Sequence, residues 1–162
     1  HLPENVDNIT LQLRTEVINS PYYHYTHGLK KHDGNCQRIA HGHRSRIDIL
    51  LDNKVSEEYQ RYWAERWADI YIATTSDEIA FSERKMKGAV TNPEEYYVFA
   101  YEASQGYFEL LIPKSDCEVI TTDSTVECLA QYLLEEQGKL TPDNHCKVIA
   151  YEGVGKGAMV SQ

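Results

Sequence analysis

The spacing of apolar residues changes several times along the chain, and each change marks an element. From Ile9 to Ile18, Ile9, Leu11, Leu13 and Val17 alternate with Gln12, Arg14 and Glu16. That period of two predicts a first strand, interrupted at Asn19-Ser20-Pro21. Alternation resumes from Tyr22 to His27, with Tyr23, Tyr25 and His27 on one face and His24 and Thr26 on the other. Gly28 to Asn35 is polar, with Asp33-Gly34 as a turn signal. Ala40 to Leu51 is the next strand, and His41, His43, Ser45, Ile47, Ile49 and Leu51 share its face. Asp52-Asn53 turns the chain.

Ser56 to about Trp67 has helical spacing. Ser56 is a capping residue, Glu57 and Glu58 suit the first turn, and Tyr59, Trp63 and Trp67 fall at i, i+4 and i+8. Ile70 to Thr74 is a short strand, and Thr75 to Pro93 shows no period. Tyr96 to Glu102 and Tyr107 to Ile112 flank Ala103-Ser104-Gln105-Gly106, which predicts a hairpin. Asn92-Pro93-Glu94-Glu95 is the alternative, a helix start. Ser124-Thr125-Val126-Glu127 has the S-x-x-E pattern of a capping box. Its helix runs to about Gln137 with Leu129, Tyr132 and Leu133 as the apolar stripe, and Gly138 as its stop. Cys146 to Glu152 is the last strand. The order β-β-α-β-β-α-β predicts a single α+β domain over residues 1–162, an antiparallel sheet with two helices packed on one face.

Composition narrows the partners. With 162 residues and 41% hydrophobic content, the chain can bury one core. A formal net charge of −9 argues against nucleic acid and anionic membrane surfaces, which need a basic face. No apolar run approaches the ~20 residues of a membrane span, and no signal-peptide pattern is visible. Cys36, Cys117, Cys128 and Cys146 lack C-x-x-C spacing. A cytoplasmic protein with free thiols is expected.

The candidate chemistry gathers at Cys36-Gln37-Arg38-Ile39-Ala40-His41-Gly42-His43. Alternate residues of a strand point to one face, so His41 and His43 project side by side. His27, from a neighbouring strand, would complete a three-imidazole site with one position open, the arrangement of a catalytic zinc. The plainer alternative is a polar strand end with solvated rings. His24 points to the other face, and His32 and His145 are reserve candidates in loops. Cys36 is either a small buried residue, a base toward a carbon-bound proton, or a fourth metal ligand. Glu152 is either an exposed strand-end carboxylate or an acceptor for two N–H groups of an aminopyrimidinone edge. For Glu127, helix capping comes first. Gly153-Val154-Gly155-Lys156-Gly157 lacks the spacing of a phosphate-binding loop.

These residues together resemble the 6-pyruvoyl-tetrahydropterin and 6-carboxytetrahydropterin synthase superfamily. The resemblance rests on His27-Gly28-Leu29, on Cys36 before His41-Gly42-His43, on Ser124-Thr125-Val126-Glu127-Cys128-Leu129-Ala130-Gln131-Tyr132-Leu133, and on Cys146-Lys147-Val148-Ile149-Ala150-Tyr151-Glu152. It covers the first and last thirds of the chain and leaves a divergent middle section, about 54–123. It implies a tunnelling fold (T-fold) and a homo-oligomer, trimer-based or hexameric, with active sites at subunit interfaces. It implies Zn²⁺ held by His27, His41 and His43, with Cys36 as the catalytic residue. Glu152 would anchor a pterin substrate such as dihydroneopterin triphosphate, with Thr125 and Glu127 as further substrate contacts. The family's adjacent Asp-His pair is missing, since no histidine lies between His43 and Ser124. Either another group, such as His32 or a residue of the middle section, supplies that acid, or the usual reaction is lost.

Overall fold

The computed structural model describes residues 20–162 apart from Asp33 and Val154, so the strand expected over 9–18 lies outside the described residues. Strands Tyr22–His27 (β1) and His41–Leu51 (β2) pair antiparallel, with Tyr25 opposite His43 and His27 opposite His41. At the far end of β2, Asp52 and Asn53 take positive φ (50° and 64°) and reverse the chain into Lys54–Val55 (β3). Asp and Asn tolerate that left-handed conformation better than other side chains, which is why this pair makes the turn.

Helix Glu57–Arg66 (α1) follows, with Ser56 as its cap, and leads to Ile70–Thr74 (β4). Tyr96–Ala103 (β5) and Gly106–Pro113 (β6) form the expected hairpin around Ser104-Gln105. Pro93–Glu95, the alternative helix start, is a single 3₁₀ turn. Cys117–Ile120 (β7), helix Val126–Leu140 (α2), Cys146–Tyr151 (β8) and Gly157–Ser161 (β9) complete the order. Seven strands form one sheet in the order β7-β4-β1-β2-β8-β9, with β3 beside β2.

The α+β class with two helices on one sheet is as expected. The sheet is rich in antiparallel pairs but not wholly antiparallel: β4 runs parallel to both β1 and β7. The crossover through α1 returns the chain in the direction of β1, as helical crossovers do. Two short strands, β3 and β7, have too few residues to show a period in sequence, and β9 follows directly on a glycine-rich stretch. Gly138 does not stop α2, which continues to Leu140 with Thr141 as its cap. The glycine sits inside the helix, where an added Cβ would meet the Gln162 side chain.

Both helices cover one face. Trp63 and Trp67 from α1 and Leu129, Leu133 and Leu134 from α2 pack with Tyr23, Tyr25, Ile47, Ile49, Ile72 and Val148 of the sheet. The opposite face of β4 carries Tyr71 and Ala73 against Phe99 of the hairpin. At the centre, fully buried Gln137 accepts a hydrogen bond from the Trp63 indole N–H at 2.8 Å and donates to Thr141 Oγ1 at 3.3 Å. Replacing Gln137 by Leu keeps much of the volume but leaves the indole N–H without an acceptor. We expect a loss of about 1–3 kcal/mol in urea unfolding. An unchanged midpoint would mean that water reaches the indole.

Candidate metal centre

Strand parity decides where the three histidines point. Tyr23, Tyr25 and His27 are buried along β1, and His43, Ser45, Ile47 and Ile49 continue one stripe on β2. The stripe is apolar where the helices cover it and imidazole at its end. Ring centroids are 4.4 Å apart for His27 and His41, and 4.9 Å for His27–His43 and His41–His43. Their donor atoms all lie within 4.8 Å of one another. Tyr25 closes the apolar side, stacked on His43 at 5.4 Å and edge-on to His27 at 5.2 Å.

Hydrogen bonding leaves these rings unfinished. His27 Nδ1 bonds Ser124 Oγ at 2.8 Å. Its Nε2, both nitrogens of His41 and Nε2 of His43 are buried with no partner. The Glu152 Oε1 contact to His43 Nε2, at 3.5 Å, is an ion-pair distance that does not meet hydrogen-bond geometry. Among the described residues only one other buried side-chain polar atom, on Arg84, lacks a partner. Buried polar atoms are normally satisfied, so four orphans in one cluster mark a place for an ion or water between the rings. Imidazole donors with one ring already fixed through its second nitrogen fit a zinc-type ion.

The rings are also in the protonation state a metal requires. Burial, then the neighbouring His41 and His43, push the His27 pKa down to about 3. Burial lowers His41, partly offset by the Arg38 backbone and the Glu152 carboxylate. The backbone groups lie close enough to act on His41 without meeting hydrogen-bond geometry. Burial lowers His43 as well, against the pull of Glu152. All three are therefore neutral at pH 7, as ligands must be.

The other candidates fall around this cluster or away from it. Cys36 is half-buried in the 3₁₀ turn Gly34–Gln37. Glu152 follows β8 and pairs with the Lys156 ammonium at 3.1 Å. That carboxylate raises the Lys156 pKa, and the fields of Cys36 and Glu127 add to it, so both lie within electrostatic reach. Thr125, not Ser124, caps α2: the Cys128 N–H donates to Thr125 Oγ1 at 3.4 Å. The expected capping box is therefore one residue out of step, because the Ser124 hydroxyl is spent on His27. Glu127 sits exposed in the first turn of α2, not at the third position a capping box requires. Exposed His32 lines a small recess with Ser124 and Thr125, and its charge is felt at His27 and His41. His24 lies on the other face of β1. His145 stands at the far end of β2, where its backbone N–H bonds Asp52.

Sequence reasoning missed Ser124 as the partner of His27, and Lys156 as the partner of Glu152. The latter had a signal: the segment after Glu152 folds back, the Glu152 N–H donating to the Lys156 carbonyl at 2.8 Å, and three glycines there make such a turn easy.

No family model and no curated protein matches the sequence. Solved structures do match, and they give the fold: it is the T-fold, a curled, antiparallel-rich sheet with two helices. One is 6-pyruvoyltetrahydropterin synthase from Plasmodium vivax, in a catalytic-residue mutant that places cysteine for glutamate, at TM-score 0.60 and 16% identity. Another is the 6-pyruvoyl tetrahydropterin synthase of Plasmodium falciparum, at TM-score 0.61 and 14% identity. Each match spans 90% of this chain and 94% of the other.

One divalent ion per chain is expected by elemental analysis. It should be lost in His27→Ala, His41→Ala and His43→Ala and kept in His24→Ala. Ser124→Ala should weaken affinity about 10–100-fold in chelator competition. The metal-free protein should be acid-sensitive. The folded pKa of His27, about 3, lies below its ordinary 6.5, so stabilisation present above 6.5 is lost as pH falls toward 3. The urea midpoint of chelated protein should drop across that window, and His27→Gln should flatten the drop. An equal drop in the variant would place the acid sensitivity elsewhere.

Proposed function

We propose that this chain is a zinc-dependent pterin-processing enzyme, similar to the 6-pyruvoyl- and 6-carboxytetrahydropterin synthases. The carrying observation is the cluster of four unpartnered nitrogens on three neutral imidazoles, in a chain with the fold of such a synthase. His27, His41 and His43 would hold the ion. The all-imidazole donor set favours zinc over calcium or magnesium, which take oxygen ligands. Zinc bound there supplies Lewis acidity toward an oxygen of the substrate side chain.

The chain's own groups do the rest. Glu152, between His43 at 3.5 Å and Lys156 at 3.1 Å, offers a carboxylate to the two N–H groups of the pterin ring edge. Thr125 and Glu127, at the start of α2, complete the substrate contacts. Cys36 takes a carbon-bound proton from the side chain of a dihydroneopterin-type substrate, and elimination follows. Copies of the chain would assemble as a trimer-based homo-oligomer, with sites at subunit interfaces. All four cysteines are free, which suits a reducing cytoplasm.

One observation favours a second reading. With no histidine between His43 and Ser124, the Asp-His part of the relay is missing, and a zinc- and pterin-binding homologue without catalysis would have this sequence. Incubation with dihydroneopterin triphosphate and product analysis separate the two. The enzyme reading expects loss of the triphosphate; Cys36→Ala should keep zinc and ligand but lose about 10²–10⁴ in kcat, and Glu152→Gln should weaken pterin binding. Intact substrate on zinc-loaded, pterin-bound wild type would decide for the second reading.

A further inference from the structure

The turn that carries Cys36 is gripped from outside. The Tyr101 hydroxyl of β5 donates to the Gln37 carbonyl at 2.7 Å. Ser104 Oγ, at the hairpin tip, donates to Gln37 Oε1 at 2.8 Å, and Gln37 is buried. Gln105 Nε2 donates to the Gly34 carbonyl. From β4, Tyr71 donates to the Ile39 carbonyl at 2.7 Å. The Leu29 N–H closes the ring of contacts on the Cys36 carbonyl at 2.9 Å. Gly28 leaves the necessary room, since a Cβ there would strike the Tyr101 hydroxyl and come within 2.8 Å of the Ile39 backbone.

We propose that Tyr101, Ser104 and Gln105 are positioning residues that fix the turn carrying Cys36, and with it the thiol, so the β5–β6 hairpin sets turnover without touching substrate. A turn this short cannot hold itself in place. Among the described residues it has no strand partner, and its fixed conformation is opposed by chain entropy. The hairpin's hydrogen bonds go to the backbone and to Gln37, none to the sulfur. Removing them leaves the thiol's chemistry intact and changes only where it sits, and a displacement near 1 Å at a reacting group costs on the order of 10²-fold. The hairpin is itself anchored to β4, Phe99 packing on Tyr71 with ring centroids 5.9 Å apart. It belongs to the middle section, where the sequence does not resemble the synthases. The role in turnover rests on Cys36 acting as the base.

The test compares Tyr101→Phe and the double variant Ser104→Ala/Gln105→Ala with wild type. The rate of iodoacetamide labelling is followed at each cysteine by peptide mass spectrometry, beside zinc content and steady-state kinetics on dihydroneopterin triphosphate. Cys36 should label at least threefold faster in both variants, while Cys117, Cys128 and Cys146 keep their wild-type rates. Zinc should be retained, kcat should fall at least tenfold and KM should stay within twofold. Ser104→Thr, which keeps the hydroxyl, should restore wild-type behaviour. Labelling of Cys36 at the wild-type rate or slower overturns the proposal, and so does faster labelling of all four cysteines, which marks general loosening. Absence of any turnover in wild type defeats the enzymatic reading, while the labelling rates still decide whether the hairpin positions Cys36.

Discussion

In an antiparallel pair, a slip of one residue sends every side chain of a strand to the opposite face. The pairing of β1 with β2 sets His27 opposite His41 and Tyr25 opposite His43, and everything at the site follows from that register. The hydrophobic set on the same faces enforces it: Tyr23, Tyr25, Ile47 and Ile49 must meet the helices. Core and cluster are thus one constraint. The sequence cannot shift its imidazoles without also exposing its core.

The two faces of the sheet divide the labour. The helix-covered face supplies rigidity and ends in the imidazoles. Beyond β4, the hairpin packs Phe99 on Tyr71 and reaches over to the Cys36 turn. Charge is arranged in the same spirit. The three rings are neutral, and Glu152 and Lys156 face each other beside them. An acidic protein therefore sets an opposed charge pair beside neutral rings at its candidate centre.

Much of this was legible in sequence, for physical reasons. Alternation is strong in β1 and β2, so strand parity alone brought the three histidines to one face and sent His24 to the other. The Asp52-Asn53 and Ser104-Gln105 turns carry their own conformational signals. Ser124 was misread because a serine before a helix is nearly always judged by what it can do for that helix. Its hydroxyl was needed 97 residues away, at His27, and no local pattern encodes such a contact. The parallel neighbours of β4 are likewise set by a crossover and not by any residue in the strand. The grip on the Cys36 turn leaves no local pattern, because the hydroxyls and amide that make it have no period, and they bond the turn's backbone and the Gln37 side chain.

The bond between Ser124 and His27 joins the segment just before α2 to the ring on β1. An ion seated on the imidazoles would tighten that ring, and through Ser124 the entry to the helix. By linkage, occupancy at the rings and closure of the first helical turn must favour each other. The amide protons of Cys128 and Leu129, which bond Thr125, would then report an ion at the rings: slow to exchange with solvent when it is bound, faster when it is stripped away.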